Sequence, residues 1–270
     1  MVRKLWKHEY LAWLRVLPLI YGITLVIAAM LRLVLAFENE SVYYIIVLVS
    51  AIVMFVIALI VTIAAGTVFG IQRFYKNLFT GEGYLTHTLP VTPAAHLWVK
   101  LLTAASFDLL SLLVCLLAGM IATAGEVFTE VCKAISYLTG HIPADMIPHI
   151  SGWTAEFIAL LVVGILNSHL LYYLCICLGQ LARKNRVLAA VGVYFGFYML
   201  TQILSTVFMV GFTVAVETTG FLEDIILLMT EHPEATMHVI MGGAFVLTAG
   251  ISLVFYLICH RIIRKKLNLE

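Results

Sequence analysis

The sequence predicts an all-α membrane protein: six transmembrane helices, an N-terminal interfacial amphipathic helix and both termini in the cytoplasm. Three observations predict it. Six apolar runs, at about 16–37, 43–70, 98–124, 153–182, 187–212 and 237–259, are each long enough to cross a bilayer, since a hydrocarbon core about 30 Å thick needs roughly 20 helical residues. Hydrophobic residues make up 63% of the 270-residue chain and charged residues only 11%, where a soluble domain would carry roughly a quarter charged. The basic residues also fall on one side of these runs. Of 16 Lys and Arg, all but Arg32 and Lys133 lie in the N-terminal segment, the second and fourth connections or the tail. The positive-inside rule puts those segments in the cytoplasm, and an even number of spans agrees. Backbone groups in lipid must be satisfied within the segment, so the spans are helices; a β-barrel would show short alternating strands instead.

The elements follow in order. Trp6, Tyr10, Trp13, Leu14 and Leu17 recur at helical spacing within 3–15 and its exit, opposite Arg3, Lys4, Lys7, His8 and Arg15. That pattern predicts a helix lying in the headgroup plane. Pro18 suits the first turn of the next helix. The first span is too long for a signal-peptide core and no small-residue cleavage site follows it, so a retained helix is expected. A short outer loop (38–42) leads to the second span. The connection 125–152, with Gly140, Pro143 and Pro148, reads as a long outer loop. The outer segment 217–236 holds a short apolar helical run, Phe221 to Met229, between acids; it is too short to span and could dip into the outer leaflet or cap a vestibule. No soluble domain is inserted, so the chain reads as one transmembrane domain. Outer acids from Glu38 to Glu234 either solvate the loops or attract cationic ligands.

Five cysteines imply no disulfide framework, because Cys115, Cys175, Cys177 and Cys259 fall in spans and Cys132 has no outer partner. Cys175 and Cys177 point roughly 200° apart on a helix and cannot share an ion. Two Gly-x-x-x-Gly segments, Gly66–Gly70 and Gly192–Gly196, put small residues on one helix face. They predict close packing, either within the chain or at a subunit interface.

The most informative segment is the second cytoplasmic connection, 71–97. Gly81 and Gly83 break the preceding helix. Glu82–Leu89 is long enough for about two helical turns before Pro90. Thr92 is a good N-cap, Pro93 a good first helical residue, and Lys100 marks the interface. A short helix held between two long spans is a lever by which a cytosolic partner could tilt them. The Glu82-Gly83-Tyr84-Leu85 turn, the Leu89-Pro90-Val91-Thr92-Pro93 sequence and Lys100 resemble permease subunits of ABC-2-type exporters, as do the interfacial helix, six spans, inner termini and outer apolar segment. That resemblance covers essentially the whole chain and is most specific at 73–100. It implies that the short helix docks on a cytosolic ATPase subunit through Glu82, Tyr84, Leu85 and His87. It further implies two ATPase subunits and a second permease chain, identical or homologous, per complex in a plasma membrane, bacterial by expectation. Helices two and five of that family face the pathway, which makes Gln202 and Ser205 the lining candidates.

This chain has no Gly-Lys-Ser/Thr phosphate loop, so ATP and Mg²⁺ are expected on the partner and no cofactor on this chain. It is not expected to be an enzyme by itself, nor to bind nucleic acid: His8-Glu9 is not continued to a His-Glu-x-x-His site, and no Gly-x-Ser-x-Gly elbow occurs. Outer His141, Asp145 and His149 have four-residue spacing, but Pro143 and Pro148 spoil a regular helix, so no metal site is expected there. Asp108, Asn167 and His169 lie at membrane depth, with Tyr172 or Tyr173 at a depth that matches Asp108. Such residues form interhelical hydrogen bonds, line a pathway or relay protons, the first being the structural reading. The function expected is coupling of a separate ATPase to export of a hydrophobic or amphipathic substrate. The alternatives are a non-transporting membrane scaffold and an energy-coupling subunit of an importer.

Overall fold

The computed structural model describes residues 2–37, 41–80, 91–141, 147–219 and 231–265. Among these it is helical, with α1 (Val2–Trp13), α2 (Leu17–Ala36), α3 (Val42–Phe79), α4 (Pro93–Ala122), α5 (Glu126–His141), a single 3-10 turn (Ile147–His149), α6 (Ile150–Gly179), α7 (Arg186–Thr219) and α8 (Pro233–Lys265). Six helical stretches are long and apolar enough to cross a membrane: Val2–Ala36, taking α1 with α2, then Val42–Phe79, Pro93–Ala122, Ile147–Gly179, Arg186–Thr218 and Pro233–Arg264. The chain is therefore a multi-pass membrane protein.

The helices gather into two compact units. The first holds residues 1–78 and 82–142, the second 79–81 and 143–270. In the first unit, α2 and α1 both pack on α4. One buried cluster joins Trp13, Leu17 and Tyr21 to Ala104, Phe107 and Val114, with Ala65 and Phe69 of α3 against it. A second joins Ala28 and Leu31 to Ala118 and Ala122, covered by Leu48, Ala51, Phe55 and Leu59 of α3. Hydroxyls run along the same seams. Tyr21 pairs with Ser111 at 2.8 Å, and Thr24 with Thr62 at 2.6 Å. In lipid, where apolar surface alone does not draw helices together, small residues and such polar pairs hold the contact.

α3 is 38 residues long, about 57 Å of helix at 1.5 Å per residue. That is well beyond a hydrocarbon core, so the helix continues past the bilayer as a rigid stem. Its last stretch, Arg73–Phe79, belongs to the segment that the hydropathy pattern assigns to the connection between the second and third spans. At the far end of the connection, the Thr92 hydroxyl accepts from the Ala95 amide at 3.3 Å and Pro93 opens α4. The cap thus fixes where the second stem begins.

The connection 125–152 is more ordered than its Gly and Pro content suggests, for 126–141 form α5. The turn that launches it has Ala124 at φ 50° and Gly125 at φ 81°. The Gly125 amide donates to Met120 O at 2.9 Å and the Ala124 amide to Ile121 O at 3.2 Å. That closes the end of α4 in the manner usual for a glycine at the left-handed position.

In the second unit, α6 packs on both α7 and α8. Asn185 takes φ 52° between α6 and α7. Gly179 lies so close to Ala190 that a Cβ there would come within 2.6 Å of Ala190 N and Cβ. That contact sets how tightly the α6–α7 hairpin closes.

Candidate functional site

The expected docking residues Glu82, Tyr84, Leu85 and His87 lie outside the described residues. The helices that carry that segment are described, and they converge on one side chain. Glu9 of α1 is buried, with its carboxylate between Arg73 of α3 and Lys100 of α4. Its Oε2 accepts from the Arg73 guanidinium and its Oε1 from Lys100 Nζ. Arg73 also lies over the Phe69 ring, 5.8 Å from the centroid. Burial raises the Glu9 pKa, but the charges of Lys100 and Arg73 and the hydrogen bonds they donate outweigh it and hold the carboxyl below its ordinary value of 4.5.

Neighbouring contacts seat α1 on the same two stems. Tyr10 OH donates to Ser106 at 2.7 Å. The Trp13 ring stacks on Phe107 with centroids 5.0 Å apart and meets Phe69 edge-on at 5.1 Å. Trp6 and Leu14 stay exposed. The face of α1 that spacing alone marks as apolar is therefore divided: Tyr10, Trp13 and Leu17 turn to protein, Trp6 and Leu14 outward. Glu9 lies four residues before Trp13 and so shares its side of the helix. That register, together with basic residues in both loop stems, was the signal available for Glu9 in the sequence.

Deeper in the first unit, Gly66 is buried and faces Asp108. A Cβ at Gly66 would collide with the Asp108 carboxylate and meet Ser111 Oγ at 3.6 Å. Gly70 is buried as well. Gly66 thus serves contact between α3 and α4, and Asp108 sits in that contact. The second pair differs: Gly192 and Gly196 are exposed, with nothing within 4 Å of a built Cβ.

In the second unit, Asn167 Oδ1 accepts from Ser252 Oγ of α8 at 3.0 Å, an interhelical hydrogen bond. His169 is buried beside Tyr172 and Tyr173, with ring centroids 6.4 and 6.1 Å away. Gln202 and Ser205 are exposed on α7, where Ser205 Oγ donates to the Gln202 backbone carbonyl at 3.0 Å. Tyr194, Tyr198, Thr201 and Thr206 are exposed on the same helix. With Gln202 and Ser205 they recur at helical spacing and form a polar stripe along a span.

At the start of α6, His149 stacks on Trp153 and meets His238 of α8 edge-on, at 6.3 and 5.7 Å. His238 Nδ1 and Glu156 Oε1 are hydrogen-bonded at 2.7 Å. Gly152 makes room for that imidazole, because a Cβ would stand 3.2 Å from His238 Cε1. Sequence spacing groups His149 with His141 and Asp145, whose side chains lie outside the described residues. Among the described residues, no three His, Cys, Asp or Glu side chains are grouped so as to hold a metal ion. No protein-family model, curated protein or solved structure matches this chain.

Proposed function

We propose that this chain is the membrane-spanning permease subunit of an ATP-binding-cassette exporter of the ABC-2 type. It has both termini in the cytoplasm and α1 at the inner membrane surface, in a plasma membrane of bacterial type. Two separate ATPase subunits hold ATP and Mg²⁺, and a second permease chain, identical or homologous, completes the complex. ATP-driven closure of the ATPase pair moves the segment between α3 and α4, and the two long helices carry that movement into the bilayer, where a hydrophobic or amphipathic substrate crosses.

The observation that carries the reading is the segment 73–100: breakers at Gly81 and Gly83, docking candidates Glu82, Tyr84, Leu85 and His87, and the Pro90-Val91-Thr92-Pro93 exit. It is bracketed by a stem that outruns the membrane and by a capped helix start. The absence of a phosphate loop supports a separate ATPase. The polar stripe on α7 supports a second permease chain or a hydrated pathway beside it, because an amide such as Gln202 is costly against lipid. Gly192 and Gly196, open within the chain, lie on a different face of α7 and leave room for the close approach of a further helix.

The test is capture from native membranes with a tag on this chain. An ATPase bearing a Gly-x-x-x-x-Gly-Lys-Ser/Thr loop is expected to co-purify, whereas the chain alone hydrolyses no ATP. Tyr84→Ala and Glu82→Arg are expected to lower ATPase capture by about tenfold or more, with unchanged membrane insertion, since a few anchors dominate a short docking segment. Capture of no ATPase, or equal capture by both variants and the wild type, would overturn the proposal in its first or second part.

A further inference from the structure

Glu9 joins three helices that the chain order separates. Arg73 lies about two turns before the end of α3, and Lys100 about two turns after the start of α4. These are the two stems of the segment that the proposed function assigns to docking. α1 is remote from both in sequence, yet its one acid is bonded to a cation on each stem. Buried ion pairs of this kind are poor sources of net stability, because desolvation offsets attraction; their best-attested use is to fix one arrangement against others. An apolar residue at position 9 would have packed with Tyr10 and Trp13 at less cost. The carboxylate therefore selects a geometry in which both cations stand on either side of one small group.

Other candidates carry less. The buried thiols Cys177 and Cys259 are mutually hydrogen-bonded but closed to any reagent. The His149, Trp153, Glu156 and His238 group forms no metal site.

We propose that α1 is the third member of the coupling element, with Glu9 the positioning residue that fixes the spacing of its two stems. This rests on the exporter reading for its purpose, though not for its geometry. Load on the docking segment then reaches α1 and α4 as one body, and α1 moves with the stems.

Hydrogen–deuterium exchange on the full chain in bilayer nanodiscs tests it. Glu9→Gln keeps the volume of the side chain and removes its charge. It is expected to raise exchange about a hundredfold or more together in α1, 71–79 and 93–101, and to leave α5 unchanged. Glu9→Asp, which keeps the charge, is expected to recover most of the protection. Lys100→Gln removes one of the two cations and is expected to raise exchange in the same three segments, whereas Lys100→Arg, which keeps the charge, is expected to be protected like wild type. If Glu9→Gln does not insert, the contrast between the two Lys100 variants decides. Unchanged exchange in Glu9→Gln, a rise spread evenly over the chain, or equal exchange in Lys100→Gln and Lys100→Arg would overturn the proposal. Glu9-dependent protection in a chain that captures no ATPase would overturn the exporter reading and leave the positioning role standing.

Discussion

A buried carboxylate between two cations couples the local fold to pH, and the sign can be worked out for Glu9. Its pKa in the folded chain lies below the ordinary 4.5. The ionised form therefore contributes stability at every pH above 4.5, and this is lost as pH falls through the folded value. Glutamine mimics the protonated acid. At neutral pH, Glu9→Gln leaves Lys100 buried beside a neutral group, and breaking such a pair costs about 3–5 kcal/mol. The expected outcome is a lower unfolding temperature than wild type at neutral pH, with the gap closing as pH drops below 4.5. A gap that stays constant in thermal unfolding scans across that window would mean that Glu9 contributes no charge-dependent stability. Glu9 is hard to find in the sequence for a physical reason. One acid in a basic helix reads as solvated, and only the chain's tertiary path brings α1 against two stems some sixty and ninety residues away.

At the scale of elements, what was legible depended on how local the cause was. The long apolar runs, the Thr92 cap and Pro93 are decided by bilayer thickness and by a few adjacent residues, and α2, α3, α4, α6, α7 and α8 follow from them. α5 was not legible, because Gly140 and two nearby prolines outweigh a 16-residue helix in any composition-based reading; its start depends on Ala124 holding a left-handed backbone where Gly is usual. The two glycine pairs make the limit plain. Their sequences are alike, yet Gly66 is pressed against Asp108 and Gly196 faces open space. Gly66→Val is therefore expected to cost about 1–3 kcal/mol through overpacking between α3 and α4. Gly196→Val should leave the stability of the isolated chain within about 0.5 kcal/mol of wild type, as surface changes do. Denaturation of the purified chain measures both. If Gly196→Val alone weakened association between two copies of the chain, the second pair would be acting at a subunit interface.

For the molecule as a whole, orientation is the property on which the functional reading stands, and the distribution of charge argues for it more strongly than any single motif. A coupling segment can meet an ATPase only from the cytoplasm, so α5 must then lie outside. The chain carries its own reporter of this arrangement. Cys132, on α5, is exposed, whereas Cys175, Cys177 and Cys259 are buried and Cys115 is half-buried within α4. A membrane-impermeant maleimide applied to intact cells is expected to label the wild-type chain, and Cys132→Ser is expected to abolish the label. Arg183→Cys, combined with Cys132→Ser and placed on the exposed turn after α6, should react only once the membrane is permeabilised. Labelling of Arg183→Cys in intact cells, with Cys132 silent until permeabilisation, would invert the topology. The segment between α3 and α4 would then face away from any cytosolic ATPase, and the scaffold reading would have to replace the exporter.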